Sequence, residues 1–233
     1  MTNAGRGMSW RLAILLALCA LAVPLFAQDE EQRLANSATA LQQILSEHNG
    51  LSKRILDKGY CVIIFPGVKK VALAPGGSYG SGVLICRKGA KMDGSWGAPA
   101  MYALNMRSLS MQIGSTETDF ALVIASQKGV DQILIGKTKL GSNVAAAPGP
   151  RGAEAASYDI EKNNMDVLIY TRVHVPVAGV SLKGASMGSD DGANEAIYGK
   201  NKGAKDIVQG NQAIVPAAKP LVDLLNEASP MRQ

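Results

Sequence analysis

The sequence predicts a single α+β domain. Three observations carry this: a strand-rich middle punctuated by Gly, Pro, Asn and Ser, amphipathic helical segments towards both ends, and no linker long enough to divide the chain. Of its 233 residues, 47% are hydrophobic and 18% charged, a globular balance that excludes disordered and collagen-like chains. Aromatics supply only 5% of the residues while glycine numbers 25, so small and branched aliphatics must fill the interior. No apolar run after residue 27 approaches the roughly 20 residues of a membrane-spanning helix, which excludes a polytopic membrane protein.

The first segment stands apart from that fold. Arg6 and Arg11 precede an apolar stretch from Leu12 to Phe26, which ends in Leu25-Phe26-Ala27 ahead of Gln28-Asp29-Glu30-Glu31. Residues 1–27 therefore read as a cleavable secretory signal, and the remaining chain as exported: periplasmic or secreted, and peripheral on an envelope membrane. The competing lipoprotein reading rests on Cys19, but the bulky Leu18 occupies the place that usually holds a small residue.

Next, Leu34, Ala38, Leu41 and Leu45 recur at helical spacing, with acidic residues before them and Asn49-Gly50 as a stop. A shorter helix is expected over residues 51–58, with Leu51 and Ile55 on one side. Strands are expected over 60–65, 71–74, 79–87, 101–113, 120–125, 166–173 and 180–186. Helical patterning covers 128–135, 192–198, 204–208 and 217–228, with Pro216 and Pro220 suited to a helix start. The glycine-rich residues 145–156 read as a loop or a short strand pair.

The formal net charge is +5, but its distribution is uneven. Residues 53–91 carry Lys53, Arg54, Lys58, Lys69, Lys70, Arg87, Lys88 and Lys91 against Asp57 alone, a local balance of +7, while the flanking stretches are acidic or near neutral. Such a cluster attracts anionic phosphate groups over long range. Two cysteines lie beyond residue 27, Cys61 and Cys86; a bridge would close 24 intervening residues, yet each lies in an expected strand where it can pack as a small apolar thiol, and the spacing decides nothing. His48 and His174 are the only histidines and there is no CxxC, so no zinc-ligand spacing is present.

Enzyme motifs are incomplete. Gly76-Gly77-Ser78-Tyr79-Gly80 and Gly184-Ala185-Ser186-Met187-Gly188 both satisfy GxSxG, but a nucleophile elbow needs a strand before the serine, a helix after it and a histidine downstream. Ser78 precedes a strand-like run, with His174 as its only downstream histidine, and Ser186 has no histidine after it. A serine hydrolase using Ser78 and His174 is the alternative function, and a structural envelope protein without a lipid ligand the third. Residues 135–138 end like a P-loop but have Asp131 where its first glycine belongs. Asp190 and Asp191 are adjacent and read as a helix cap. No catalytic residue, metal or cofactor is assigned.

Many ordered segments together resemble one family. The run from Gly59 to Lys70, then Gly76 to Val83, Trp96-Gly97-Ala98-Pro99, Met111-Gln112-Ile113-Gly114, Asp119, Leu140-Gly141, Gly149-Pro150, Asp166 to Tyr170, Ala178 to Gly184 and Asn194 to Gly199 are similar to the SYLF-domain (DUF500-type) lipid-binding family over about residues 34–226. The resemblance implies a β-rich, barrel-like antiparallel domain flanked by helices. It also implies non-enzymatic binding of phosphorylated membrane lipids, phosphoinositides in eukaryotic members, through a basic surface and an N-terminal amphipathic helix. Eukaryotic members also touch actin-regulating partners, an association that export would preclude here. Two departures are visible. Residues 72–75 lack glycine where the family tends to contain it, and Val173-His174-Val175-Pro176-Val177 replaces a stretch that often reads Arg-Gly-Leu, removing a basic contact. Charge count and resemblance agree on the eight cations of residues 53–91 as the lipid-binding set, with no nucleic-acid partner.

Processing is directly testable: the exported protein should begin at Gln28 with no acyl chain, as intact mass would show, and a diacylglyceryl-modified Cys19 at the N-terminus would refute this.

Overall fold

Strands Cys61–Val68 (β1) and Thr118–Ile124 (β4) are apolar along nearly their whole length, a pattern stable only where both faces of a sheet are covered. The computed structural model, which describes residues 25–68, 78–106, 117–151, 154–155, 159–173, 182 and 184–233, sets these two strands side by side at the centre of an eight-stranded sheet. The other strands are Ser78–Cys86 (β2), Ala100–Met106 (β3), Thr138–Lys139 (β5), Ala146–Pro148 (β6), Val167–Val173 (β7) and Ser186–Ser189 (β8). Their order is β5-β8-β3-β2-β1-β4-β7-β6, curled into a half-barrel. All pairings are antiparallel except that of β6 with β7.

The pleat sends alternate residues to opposite faces. Ile63, Phe65, Leu84, Tyr102, Phe120 and Leu122 enter the inner core, which is covered by helices Gln127–Ile135 (α3) and Ala204–Gln209 (α6) through Val130, Ile133, Ile207 and Val208. Val62, Ile64, Val83, Ile85, Ala121 and Val123 enter the outer core beneath helices Leu25–Ser46 (α1), Lys53–Lys58 (α2) and Lys219–Ala228 (α7). Ile160–Asn163 (α4) precedes β7, and Asp191–Tyr198 (α5) follows β8. Helix α5 is capped by Asp190, as the sequence predicts, and pinned to β3 by Asn194, whose amide accepts from Met101 N (2.7 Å) and donates to Met101 O (3.1 Å).

The α+β class and the helical flanks match the expectation, and several boundaries differ for identifiable reasons. The buried stripe of α1 is Leu34, Ser37, Leu41 and Ile44, while Leu45 is only half-buried. Strand β1 does not stop at Phe65: a bulge carries it through Pro66 to Val68, with Gly67 at φ 56 and its N–H donating to Asp119 Oδ1 (2.8 Å). Strand β8 begins at Ser186, where the expected 180–186 strand ends, because Gly184 at φ 85 and the Ala185 N to Leu182 O bond form a turn. Expected residues 71–74 and 107–113 lie outside the described residues. The described part of helix α1 begins at Leu25, and its buried stripe, from Leu34 to Ile44, lies beyond the expected cleavage after Ala27.

The sequence left Cys61 and Cys86 undecided. They are register partners on β1 and β2 with Cα atoms 4.0 Å apart, and they form a disulfide. The next pair is joined by the Arg87 N to Tyr60 O bond, so the cysteines occupy a non-hydrogen-bonded site, where antiparallel strands approach most closely. Replacing both cysteines by alanine should cost about 3 kcal/mol, the loop-closure contribution of a ring this size. Urea unfolding of the double variant should resemble that of the wild type under reductant.

Candidate basic site at the carboxy-terminal segment

Helix α2 presents Lys53 and Arg54 to solvent and leaves Lys58 half-exposed, because Ile55 and Leu56 take its buried side. After β2, residues 87–94 turn back before Trp96, exposing Lys88 and Lys91. The chain beyond α7 ties these two places together. Gln233 N donates to Asp57 O on α2 (2.9 Å); Arg232 N donates to Asp93 O (3.1 Å), and its guanidinium reaches Met92 O and Lys91 O at 3.1 Å each. The same guanidinium stacks 4.0 Å over the Tyr60 ring. Lys53, Arg54, Asp57, Lys58 and Gln233 line a cleft of about 430 Å³.

Thus four of the eight predicted cations, Lys53, Arg54, Lys58 and Lys91, flank one segment, and Lys88 is exposed on the adjoining turn. Arg232, which the charge count missed, lies on that segment, and its neighbour Met231 is 62% exposed, one of two large apolar side chains so displayed among the described residues. No local pattern marks residues 229–233, since their neighbours come from positions more than a hundred residues earlier. Lys69 and Lys70 lie outside the described residues.

Arg87 is a correction to the predicted set. It is 1% exposed, and its guanidinium stacks 4.1 Å over the Trp96 ring. Its Nε donates to Gly59 O (3.0 Å), Nη1 to Gly94 O (3.2 Å) and Ser229 O (3.1 Å), and Nη2 to Leu56 O (3.3 Å) and Ser229 Oγ. Burial, with Arg232 adding to it and Asp57 opposing, lowers its pKa to about 10, so it stays charged at neutral pH. Ser229 Oγ in turn donates to Asp57 Oδ1 (2.6 Å), which also accepts from Lys53 Nζ (3.0 Å). Trp96 Nε1 donates to Ser229 O (2.8 Å) and Lys53 Nζ to Ala228 O (2.9 Å), so the carbonyl end of α7 is capped by cations and N–H groups. This arginine holds the site together and cannot itself reach a lipid.

The N-terminal amphipathic helix is likewise committed elsewhere. Leu34 and Leu41 are 0% exposed against the sheet and α7, and Arg33 pairs with Glu30 (2.9 Å) and Asp190 (3.0 Å). Its apolar face is core in this conformation. Nor does either GxSxG sequence make an elbow: Ser78 and Ser186 lie in strands β2 and β8, which run on from the serine where an elbow has a helix. The described motif glycines have structural reasons instead: a Cβ on Gly80 would lie 3.0 Å from Val68 Cγ2 and 3.3 Å from Leu104 Cβ, and Gly184 turns the chain at φ 85. His174 lies outside the described residues. Among the described residues no helix is long and apolar enough to cross a membrane, and no group of three or more His, Cys, Asp or Glu could hold a metal ion.

Residues 106–228, from the end of β3 to the end of α7, match the family described as "Ysc84: Las17-binding protein actin regulator". The chain belongs to this family, the SYLF type. Similar proteins include Protein YSC84 of Saccharomyces cerevisiae, 33% identical over 171 residues that make up 72% of this chain and 35% of that protein. LAS seventeen-binding protein 3 of the same yeast is 32% identical over 72% of this chain and 36% of its own length. An SH3 domain-containing protein of Schizosaccharomyces pombe is 31% identical over 70% of this chain and 38% of its own length. The chain spans little more than a third of the length of these relatives. Their names describe binding and regulation rather than catalysis, which fits a non-enzymatic role.

Arg87→Lys should destabilise the fold by about 3 kcal/mol, because one ammonium cannot satisfy the five acceptors of the guanidinium fork. Lys88→Glu, one residue away but exposed, should change stability by less than about 0.5 kcal/mol. Thermal unfolding of the two variants checks both.

Proposed function

We propose that this domain is a non-enzymatic binder of anionic or phosphorylated phospholipid surfaces, and that it works in an exported, oxidising compartment. The observation that carries the reading is the arrangement of Lys53, Arg54, Lys58, Lys91 and Arg232 about a segment that displays Met231, with Lys88 exposed on the adjoining turn. Each cation near an anionic bilayer contributes roughly 1 kcal/mol, so several acting together give salt-sensitive attachment, and an inserted methionine adds apolar burial. Attachment through this end leaves the apolar face of α1 in the core, in contrast to the helix insertion that the family resemblance implies. The Cys61–Cys86 disulfide supports export, because such bonds persist mainly outside the reducing cytosol. The names of the relatives make a protein partner the second reading.

Co-sedimentation with vesicles tests the proposal. Lys58→Glu/Lys91→Glu should weaken binding to phosphatidylglycerol or phosphoinositide vesicles by on the order of tenfold or more, while Lys162→Glu on α4 should have little effect. Wild-type binding should fall as salt rises, since exposed charges are screened beyond about 10 Å at 0.1 M. Equal binding by both folded variants, or indifference to salt and lipid charge, would sink the basic-site mechanism. Failure of the wild type to bind any vesicle would favour the protein-partner reading.

A further inference from the structure

The sheet stops short of closing into a barrel. Its edges are β5 and β6, and residues 140–145 cross between them. The crossing is fixed at both ends: Leu140 N donates to Ala185 O (2.9 Å) and Gly184 N to Leu140 O (2.9 Å), while Ala145 N donates to Asp166 Oδ2 (2.8 Å) and Ala145 O accepts from Asp166 N and Val167 N (2.9 Å each). Asp166 is held in turn by Ser126 Oγ (2.6 Å) and Lys128 Nζ (3.2 Å). Strand β6 then runs parallel to β7 as the last strand, and the seam is built rather than frayed.

A space of about 510 Å³ lies at this seam. That is within the range of small-molecule sites, roughly 300–1,000 Å³, and barrel mouths are a preferred place for them. Ala146, Ile169 and Leu182 line it and also pack with the inner core, Leu182 being 1% exposed. Met165 adds to the apolar wall, and the polar side chains on the lining are Arg151 and Thr171. Arg151 is held by bonds from Nη1 to Asn49 O and from Nη2 to Thr171 O, both 3.2 Å, and its ion pair with Glu47 spans 3.9 Å. The arginine side chain is 38% exposed. The lining thus grades from buried and half-buried aliphatic groups to a fixed, solvent-facing cation.

We propose that this seam binds one molecule of a single-chain aliphatic amphiphile with an anionic head, its chain against Ala146, Ile169 and Leu182 and its carboxylate or phosphate at Arg151. Aliphatic burial drives entry of the chain, and a charge-assisted hydrogen bond from the guanidinium selects the anionic head. The site uses strands β6 and β7 and none of the cations of the basic end, so it stands independently of the membrane-surface reading.

The test is displacement of a fluorescent fatty acid from the purified protein by oleate, by 1-oleoyl lysophosphatidate and by uncharged 1-oleoylglycerol, each below its micelle threshold, with native mass spectrometry for stoichiometry. One molecule should bind, with both anionic lipids roughly tenfold tighter than the neutral one; the tighter of the two identifies whether fatty acid or lysophospholipid is the better occupant. Arg151→Gln should erase that preference while leaving 1-oleoylglycerol binding unchanged. Ala146→Trp should block all three, and Ala147→Phe serves in its place if the tryptophan lowers the melting temperature. Lys58→Glu/Lys91→Glu should bind like the wild type. Absence of saturable one-to-one binding, wild-type affinity in a folded cavity-filled variant, or loss of binding in Lys58→Glu/Lys91→Glu would each overturn the assignment.

Discussion

One buried guanidinium decides how the outer layer of this domain closes. Arg87 joins carbonyls from α2, from the 87–94 turn and from the residue after α7, so three elements distant in sequence share one cation. Burying a charge is costly unless it is paired and hydrogen-bonded. Here the cost is offset by five acceptors, by Trp96 stacked on the guanidinium and by Asp57 reached through Ser229. Only the planar fork of arginine meets that many acceptors at once. The residue before it is disulfide-bonded to β1, which fixes the strand from which the side chain departs.

The basic end follows from that closure. Once Ser229 is anchored, the residues after it have a fixed origin and run from Asp93 and Met92 back to Asp57, bringing Arg232 beside Lys91 and Gln233 beside Lys53, Arg54 and Lys58. The structure therefore separates two kinds of cation that a charge count treats alike. Arg87 is spent on carbonyls inside the fold, while Lys88, the next residue, is free to face solvent because the strand pleat alternates. A similar division applies to α1: the amphipathic stripe that resembles a membrane face serves as the lid of the outer core.

The half-barrel leaves a second consequence at its opposite limit. A sheet with both faces covered by helices is closed to ligands across most of its area, and its unclosed seam offers a space in contact with the inner core. The basic end and the seam are built by different elements, so a surface contact and a ligand in the seam can coexist without competing for side chains.

Much of the architecture was legible in the sequence because it depends on local periodicity. The strands near 60–65, 79–87, 120–125 and 166–173 and the helices near 128–135 and 192–198 all appear close to their expected bounds. Boundaries slipped where a non-local contact intervened: β1 continues past Phe65 because the carboxylate of Asp119 receives Gly67 N–H, and no pattern around Pro66 encodes that partner. The candidate site was half legible. Clustering of cations between residues 53 and 91 is a property of sequence, and four of them do surround one segment. Which cations are consumed, which distant residue joins them, and whether two cysteines meet depend on register and on burial, neither of which a linear charge count contains. The sequence alone determined the α+β class, the segregation of positive charge and the family; tertiary structure decided that Arg87 is internal, that Arg232 belongs with the lysines, and that Cys61 opposes Cys86, because each of these is set by pairing between residues far apart in the chain.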